Sequence, residues 1–191
     1  HANLTAAADA DGDPNVNVTV GAGTLNVAKL NLIKAATNGT ITASISGTAN
    51  ALAGLNTAAT DAITMTVDAG IVTAADLATI DGKTSVAVAA NAVTKITGSD
   101  TEVLAALTAD GNNTLVIDTD FNTDVSGDVS VSNANTIVLA TTGQVDFTGT
   151  ITDSMASMLN VAEDGLSTGF TAVTNGTASS EGDGGVDVTV N

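Results

Sequence analysis

Short helices with clear capping signals are the first elements that the pattern of apolar and polar positions predicts. Thr73 is a good helix N-cap, and Asp76, three residues later, can accept hydrogen bonds from the free amides of the first turn. Ser99 and Glu102 form a complete capping box, because each side chain can bond the backbone N–H of the other residue. The sequence therefore predicts one helix after Thr73 and another after Ser99.

Strict alternation of apolar and polar residues predicts strands along most of the remaining chain. The first and last strands share one pattern, VNVTV over residues 16–20 and VDVTV over residues 186–190. Two further helices are predicted over residues 48–55 and 154–163, and residues 25–33 are predicted as strand or irregular core. The other predicted strands cover residues 41–46, 62–67, 85–89, 114–118, 129–131, 136–140, 145–150 and 170–173.

A motif of large apolar residue, hydroxyl, glycine and hydroxyl recurs along the chain. It begins at Ile45, Ile96 and Phe147, so the copies lie 51 residues apart. Thr73 falls close to halfway between the helix starts of the first two copies, which indicates a period of about half that spacing, in the range of solenoid repeats. The half-repeat near Asp124 has no apolar stripe and is predicted to lack a helix. Chance is the alternative explanation, because Ser and Thr are abundant in this chain.

These patterns predict a mainly β protein, a parallel β-solenoid-like stack of about seven coils with a few short helices on one side. Residues 1–15 are predicted to be an acidic N-terminal segment, and residues 16–191 a single β-rich solenoid-like domain. A chain of 191 residues is long enough for a sizeable core. Because it contains no cysteine or tryptophan, that core must consist of Val, Ile, Leu, Ala and Met without disulfides.

A formal net charge of −17, with only four basic side chains, limits the partners of the protein. Neutralising phosphates requires Lys and Arg, so the composition excludes nucleic acid as a partner. Anionic membrane surfaces are disfavoured for the same reason, and no apolar run approaches the roughly 18 residues of a membrane span. The chain begins at His1 instead of Met, which favours a secreted chain whose signal has been removed, with a fragment boundary as the alternative.

Aspartates alternate in the N-terminal segment in a way that resembles the start of a calcium-binding loop. Asp9, Asp11 and Asp13 would be its first ligands. An EF-hand also needs glycine at the sixth loop position and an acid at the twelfth, where this chain has Pro14 and Val20. The EF-hand is therefore excluded, and the remaining alternatives are a looser Ca²⁺ site of carboxylate oxygens or a solvated acidic loop.

A second group of acidic side chains is the other candidate calcium site. Asp118, Asp120 and Asp124 follow a predicted strand at alternating positions, and carboxylates on a bend suit the oxygen coordination of Ca²⁺. The alternative is that acidic residues simply occupy exposed turns. Ca²⁺ is the only cofactor that the sequence predicts.

Side chains suited to catalysis are scarce in the sequence. His1 is the only histidine and there is no cysteine, so neither a nucleophilic triad nor a zinc site of His and Cys ligands is expected. Aromatic residues are too few for sugar-binding platforms, and no arginine is present to hold an acidic polysaccharide. We therefore expect a protein that is not an enzyme.

The sequence also contains N-glycosylation sequons, at Asn3, Asn17, Asn38, Asn112 and Asn175. Their number is close to what chance would give in a chain this rich in Asn, Ser and Thr. Glycans are therefore candidate attachments, but the sequons are not evidence for them.

Two stretches of the chain resemble a known class of repeats. The sequences ISGTANALAGL, from residue 45, and DAITMTVDAGIVTAADLATIDGKTSVAVAANAVTKITGS, from residue 61, are similar to repeat segments of large secreted bacterial β-solenoid surface proteins of the marine cyanobacterial type. The resemblance covers roughly residues 41–111. It implies a β-solenoid, an extracellular setting and bound calcium. It supplies no catalytic residues, and the glycine-rich calcium-binding nonapeptides that accompany such repeats are missing from this sequence.

The alternating strands at the two ends of the chain lead to a functional hypothesis. A solenoid has open ends whose unpaired backbone groups can be satisfied by an added strand. We therefore expect an extracellular, cell-surface structural subunit that self-assembles into a filament or surface layer by strand exchange. The alternative is an adhesin or calcium-stabilised spacer module of a larger cell-surface protein. The predicted subunit interface consists of Val16, Val18, Val20, Val186, Val188 and Val190.

Overall fold

The computed structural model describes residues 15–21, 23, 25–154 and 188–190. Within them the chain forms helices and strands, and every paired strand runs parallel to its neighbour. The helices are α1 (Val27–Ala36), α2 (Ala49–Ala53), α3 (Ala74–Asp81), α4 (Asp100–Gly111) and α5 (Val131–Ala140). The strands are β1 (Val18–Thr19), β2 (Ile41–Gly47), β3 (Ala62–Val67), β4 (Gly70–Thr73), β5 (Val88–Ala90), β6 (Val93–Ser99), β7 (Leu115–Ile117), β8 (Asn122–Ser126), β9 (Val145–Phe147), β10 (Ile151–Asp153) and β11 (Val188–Val190).

The chain divides into two compact units, each with its own sheet. The first unit takes the residues up to Ala69 together with Asp76–Ala92 and Ala109–Ile117. Its sheet has five strands in the order β1-β2-β3-β5-β7. Alternate side chains are buried along the strands, so Ile45 on β2 lies beside Met65 on β3 and both belong to the core.

The second unit takes Gly70–Ala75, Val93–Thr108 and the residues from Asp118 onward. It contains a four-stranded sheet in the order β4-β6-β8-β9 and a two-stranded sheet of β10 and β11. One row of buried side chains crosses the larger sheet in the order Val72, Ile96, Thr123 and Val145. The hydroxyl in that row is satisfied, because Thr123 donates to the carbonyl oxygen of Ile96 at 2.9 Å.

Local capping signals predicted three of the helices, and the structure confirms them. α2 begins after Thr48, whose hydroxyl accepts the N–H of Ala51 at 3.3 Å, and α3 begins directly after Thr73. At α4 the capping box is complete. The Ser99 hydroxyl accepts the Glu102 N–H at 3.4 Å, and the Glu102 carboxylate accepts the Ser99 N–H at 2.8 Å.

The prediction of strands over residues 129–131 and 136–140, with no helix after Asp124, is wrong. α5 occupies this region, and its N-cap is Ser130, whose hydroxyl accepts the N–H of Asn133 at 3.2 Å. Valine and isoleucine have a high intrinsic propensity for strands. In α5, burial of one apolar stripe of the helix outweighs that propensity. The stripe consists of Val131, Ala134, Ile137 and Val138.

The cap of α5 gives a testable prediction about the second unit. Ser130→Ala is expected to lower the free energy of unfolding by about 1 kcal/mol, because an N–H in the first turn loses its acceptor. Ser130→Asn is the matched control and should retain most of the stability, since its side-chain oxygen can cap the same N–H and adds no charge beside Asp153. Urea titration measures both variants. An equal loss in the two, or none in Ser130→Ala, would contradict the capping role.

Residues 25–33, predicted as strand or irregular core, instead enter helix α1. Asn26 caps this helix, because its side-chain oxygen accepts the Lys29 N–H at 2.9 Å. Leu30 is buried whereas Leu32 is exposed, so the apolar residues do not follow one face of the helix and the periodicity is hidden. The strand predicted over residues 85–89 is also shorter than expected, since β5 spans Val88–Ala90.

The fold class is α/β, so the prediction of a mainly β protein underestimated the helices. Within the described residues, the five helices hold about as many residues as the strands. Parallel pairing was predicted, and both larger sheets confirm it. No helix in the described part of the chain combines the length and apolarity needed to cross a membrane. The strand predicted over residues 170–173 and, apart from Ser154, the helix predicted over residues 154–163 lie outside the described residues.

Candidate functional site

The terminal strands predicted to form a subunit interface pair with one strand each. β1 is the outermost strand of the five-stranded sheet and pairs with β2. β11 pairs with β10 in the two-stranded sheet. Val186 lies outside the described residues, and the role of the others at an interface stays a prediction. Those others are Val18 in β1, Val16 and Val20 on either side of it, and Val188 and Val190 in β11.

The outer edge of β1 carries backbone groups that face away from its sheet. Val18 and Val20 donate their N–H groups to the carbonyl oxygens of Thr40 and Thr42, at 2.9 and 2.8 Å. Successive residues of a parallel strand direct their backbone groups to opposite sides, so the N–H and C=O of Thr19 point to the outer side. Within the described part of the chain, no strand pairs with that side.

The opposite edge of the same sheet has a side-chain cap. β7 is the outermost strand there, and the N–H of Val88 on β5 donates to the carbonyl oxygen of Thr114. This pattern directs the N–H of Ile117 away from β5, and the Asp110 carboxylate accepts it at 2.8 Å. A charged side chain over an edge is a common means of blocking strand addition. The two edges of the five-stranded sheet therefore differ: a side chain caps an outward N–H on β7, whereas no described strand covers the outer side of β1.

A recurring contact joins successive parallel segments, and we call it the glycine–Asx joint. In each copy a glycine lies directly over a backbone carbonyl of the preceding segment, and the next residue donates its N–H to an Asn or Asp side chain of that segment. A Cβ would lie 2.3, 2.2 or 2.1 Å from that carbonyl oxygen at Gly39, Gly143 and Gly149. The donor and acceptor pairs are Thr40 with Asn17 at 2.9 Å, Gln144 with Asn122 at 2.7 Å, and Thr150 with Asp128 at 3.0 Å.

Two of these joints also contain a buried threonine that ends a helix. Thr37 follows α1 and Thr141 follows α5. Their hydroxyls donate to the carbonyl oxygens of Val16 and Phe121 and accept the N–H of the glycine two residues later at 2.9 Å. Each threonine thus ties a helix end to the preceding segment. Sequence reasoning missed these joints, whose signal is a Thr-x-Gly triplet about 20 residues after an apolar residue and Asn.

Asp61 is a fully buried carboxylate that sequence reasoning did not single out. It accepts the N–H of Ile41 at 2.8 Å and that of Ala58 at 2.9 Å, and it lies 3.0 Å from the ammonium of Lys34. Burial raises the pKa of Asp61, but the hydrogen bonds from Ala58, Ile41 and Lys34 outweigh burial, so the pKa lies below its ordinary value. The ionised side chain therefore ties α1, β2 and the segment before β3 together.

The aspartates of the second predicted calcium site are not gathered into one group. Asp118 and Asp120 are exposed in the turn before β8, and the Asp118 carboxylate accepts the N–H of Thr119 at 2.8 Å. Asp124 lies on β8, with its carboxylate 2.7 Å from the ammonium of Lys95. Among the described residues, no three His, Cys, Asp or Glu side chains are placed to hold a metal ion. Calcium binding stays a prediction, and its other proposed ligands lie outside the described residues: Asp9, Asp11 and Asp13.

A shallow concavity of about 450 Å³ lies on the outward face of the four-stranded sheet. Glu102 is already the capping-box acceptor of Ser99, whose N–H and hydroxyl lower the pKa of Glu102. Asp124 is already paired with Lys95. Both carboxylates of the concavity thus have partners within the protein and stabilise the sheet and the start of α4. The lining residues are Thr73, Ala75, Thr97, Gly98, Glu102, Asp124, Ser126 and Thr148.

Comparison with protein-family models, with curated proteins and with solved structures gives no match for this chain. The function must therefore be argued from the geometry of the molecule. The features that bear on it are the two unlike edges of the five-stranded sheet and the glycine–Asx joints between parallel segments in both units.

Proposed function

We propose that the protein is a non-enzymatic, extracellular structural subunit that assembles head to tail into a filament or surface layer. The observation that carries the proposal is the position of β1, an edge strand whose outer side has no strand partner among the described residues. The proposed occupant of that edge is the C-terminal strand of another copy, the segment that forms β11. Strand addition would satisfy the outward N–H and C=O of Thr19.

Matching sequence patterns support this pairing. Residues 16–20 and 186–190 both alternate valine with polar residues, as VNVTV and VDVTV. Because every described strand pair is parallel, a strand added to β1 would continue the same direction. A joint between the first strand of one copy and the last strand of another is heterologous. When the rotation between copies does not close a ring, such a joint repeats and yields a polar filament.

The two edges of the five-stranded sheet support addition at β1 alone. Asp110 caps the outward N–H of Ile117 on β7, so a strand arriving there would have to displace a carboxylate. Among the described residues, no strand pairs with the outward side of β1. The difference favours one site of strand addition on this sheet and therefore one direction of growth.

The proposed subunit is a β-solenoid. From β3 to β8 the chain visits the two larger sheets alternately, passing from β3 to β4, from β5 to β6 and from β7 to β8. Paired residues are 23 positions apart between β1 and β2, 20 between β2 and β3, and 27 between β5 and β7. A similar interval between stacked parallel strands supports successive coils of one solenoid. The glycine–Asx joints would then be contacts between coils.

The charge of the chain supports assembly that depends on the ionic surroundings. Copies that each carry a net charge of −17 repel one another, and salt or a divalent cation weakens that repulsion. Ca²⁺ at the predicted aspartate sites would lower the net charge of the subunit. We therefore expect assembly to be favoured by calcium and opposed by a chelator.

Thr19→Pro is expected to abolish filaments. Proline removes the outward N–H of β1 and places its ring on the side where the next strand would add. The inward N–H groups of Val18 and Val20 remain, so the subunit should still fold. Negative-stain electron microscopy of the wild type and the variant, with calcium and then with a chelator, measures the outcome.

Thr19→Val is the matched control, because it keeps the backbone N–H and the β-branched shape. Thermal unfolding followed by circular dichroism verifies that both variants fold. Uniform filaments from the wild type and Thr19→Val, but not from Thr19→Pro, support the proposal. Filaments that persist in Thr19→Pro would exclude β1 as the joint. Single particles of the wild type in both conditions would contradict self-assembly and favour the adhesin or spacer module.

A further inference from the structure

The outward face of the five-stranded sheet carries an array of small, exposed hydroxyl side chains, which we call the hydroxyl face. The parallel register aligns residues that are far apart in the sequence, and it places their exposed side chains in rows across neighbouring strands. The row of Ser46 and Thr66 continues into Ala89 on β5 and Val116 on β7. The hydroxyl face is defined by Thr19 beside Thr42, Ser44 beside Thr64, and Ser46 beside Thr66.

The hydroxyl face differs in charge from the rest of the chain. None of its defining residues is charged, although the chain contains 21 acidic residues. In the four-stranded sheet, by contrast, the row that includes Thr97 continues to Asp124 and Asp146. Two copies that meet through acidic surfaces bring like charges together, whereas two hydroxyl faces bring none. This difference favours a second copy of the chain as the occupant of the hydroxyl face.

We propose that the hydroxyl faces of two copies pack against each other and join filaments side by side in pairs. This inference rests on the proposed head-to-tail assembly and adds a second contact to it. Sheets pack face to face at about 10 Å, and small side chains such as Ser and Thr allow close interdigitation. Each hydroxyl both donates and accepts, so hydroxyls from two copies can satisfy one another across the contact. The contact is isologous, since each copy contributes the same patch.

The size of the hydroxyl face explains why this pairing depends on the filament. Strands about 4.8 Å apart and rows about 6.7 Å apart give the six-residue face an area on the order of 200 Å², or roughly 400 Å² buried by two copies. Stable complexes bury at least about 1,000 Å². Isolated subunits should therefore pair weakly. Along a filament the same contact repeats in every subunit, and the raised effective concentration stabilises the combined contact.

Ser44→Glu together with Thr64→Glu tests the lateral contact. The two charges lie in the middle row and would face the same charges of the second copy, while β1 is left unchanged. The variant is expected to form filaments of wild-type width that stay single, with at least a tenfold loss of laterally associated filaments in electron micrographs. Ser132→Glu with Thr136→Glu is the matched control. It adds two charges at exposed positions of α5 and should associate as the wild type does.

Each outcome separates the lateral contact from the head-to-tail joint. The proposal is overturned if lateral association persists in the variant with Ser44→Glu and Thr64→Glu. It is also overturned if the α5 control loses lateral association to the same extent. If the wild type forms no filaments, the head-to-tail joint fails and cross-linking decides the lateral contact. The chain has no cysteine, so Ser44→Cys can form disulfides only between copies. At millimolar protein, a dimer yield well above that of Ser132→Cys supports face pairing, and equal yields overturn it.

Discussion

Replacing Gly143 with alanine is expected to destabilise the protein by about 3 kcal/mol or more. A Cβ at this position would lie 2.2 Å from the carbonyl oxygen of Phe121 and 2.6 Å from its carbonyl carbon. Both are backbone atoms, and the Thr141 hydroxyl bonds the same oxygen, so the two segments cannot separate without breaking the joint. The φ of Gly143 is not positive, so the position requires space and not unusual backbone freedom.

Gly111→Ala is the matched control for this substitution. A Cβ at Gly111 meets no atom within 4 Å, and the residue ends α4. Alanine there should leave the stability unchanged or raise it by up to about 1 kcal/mol, because it reduces the freedom of the unfolded chain. Urea titration followed by circular dichroism gives the midpoint of each variant. Equal midpoints for the Gly143 and Gly111 variants would refute the close approach in the joint.

Elements set by neighbouring residues could be predicted from the sequence. The capping box of Ser99 and Glu102 marks the start of α4, and strict alternation predicts β2 and β3 to within a residue of their ends. α1 and α5 could not be predicted in the same way. Their apolar positions include Val, Ile and Leu in patterns that suit a strand, and burial against the rest of the unit decides in favour of a helix.

Features that depend on register could not be predicted, because they join residues 20 or more positions apart. Gly143 matters only because it lies over Phe121, and Asp61 only because it reaches Ile41. The 51-residue motif illustrates the limit. Its copy at Ile45 lies in the five-stranded sheet, whereas the copies at Ile96 and Phe147 lie in the four-stranded sheet. Copies that are equally spaced in the sequence therefore do not occupy equivalent positions in the fold.

The candidate interface was partly accessible to sequence reasoning. Alternation identified residues 16–20 as a strand, and the structure places β1 within that range at a sheet edge. The cap that Asp110 forms over β7 could not be inferred, because its carboxylate meets Ile117 only after α4 and β7 have folded together. The rows of the hydroxyl face were hidden for a similar reason. Ser44 and Thr64 become neighbours only through the pairing of β2 with β3.

Asp61→Ala is expected to cost about 3 to 5 kcal/mol of stability at neutral pH. The substitution leaves the N–H groups of Ile41 and Ala58 without their acceptor and removes the counter-charge of Lys34. Asp61→Asn is the control for shape, because its amide oxygen can still accept the N–H of Ile41. It should cost less than Asp61→Ala, about 1 to 3 kcal/mol. Urea titration at pH 7 ranks the two variants.

The pH dependence separates the charge of Asp61 from its shape. Burial raises its pKa, but the bonds from Ala58, Ile41 and Lys34 have the larger effect, so the folded-state pKa lies below the ordinary value of 3.8. A group with a lowered pKa stabilises the fold above its unfolded-state pKa, and this contribution is lost as the pH falls through the folded-state pKa. The stability advantage of the wild type over Asp61→Asn should therefore be constant from about pH 7 to 5 and shrink below about pH 4. The other carboxylates titrate in both proteins, so their effects cancel in the difference between the two stabilities. A difference that stays constant down to about pH 2.5 would show that Asp61 is not held as the ionised partner of Lys34.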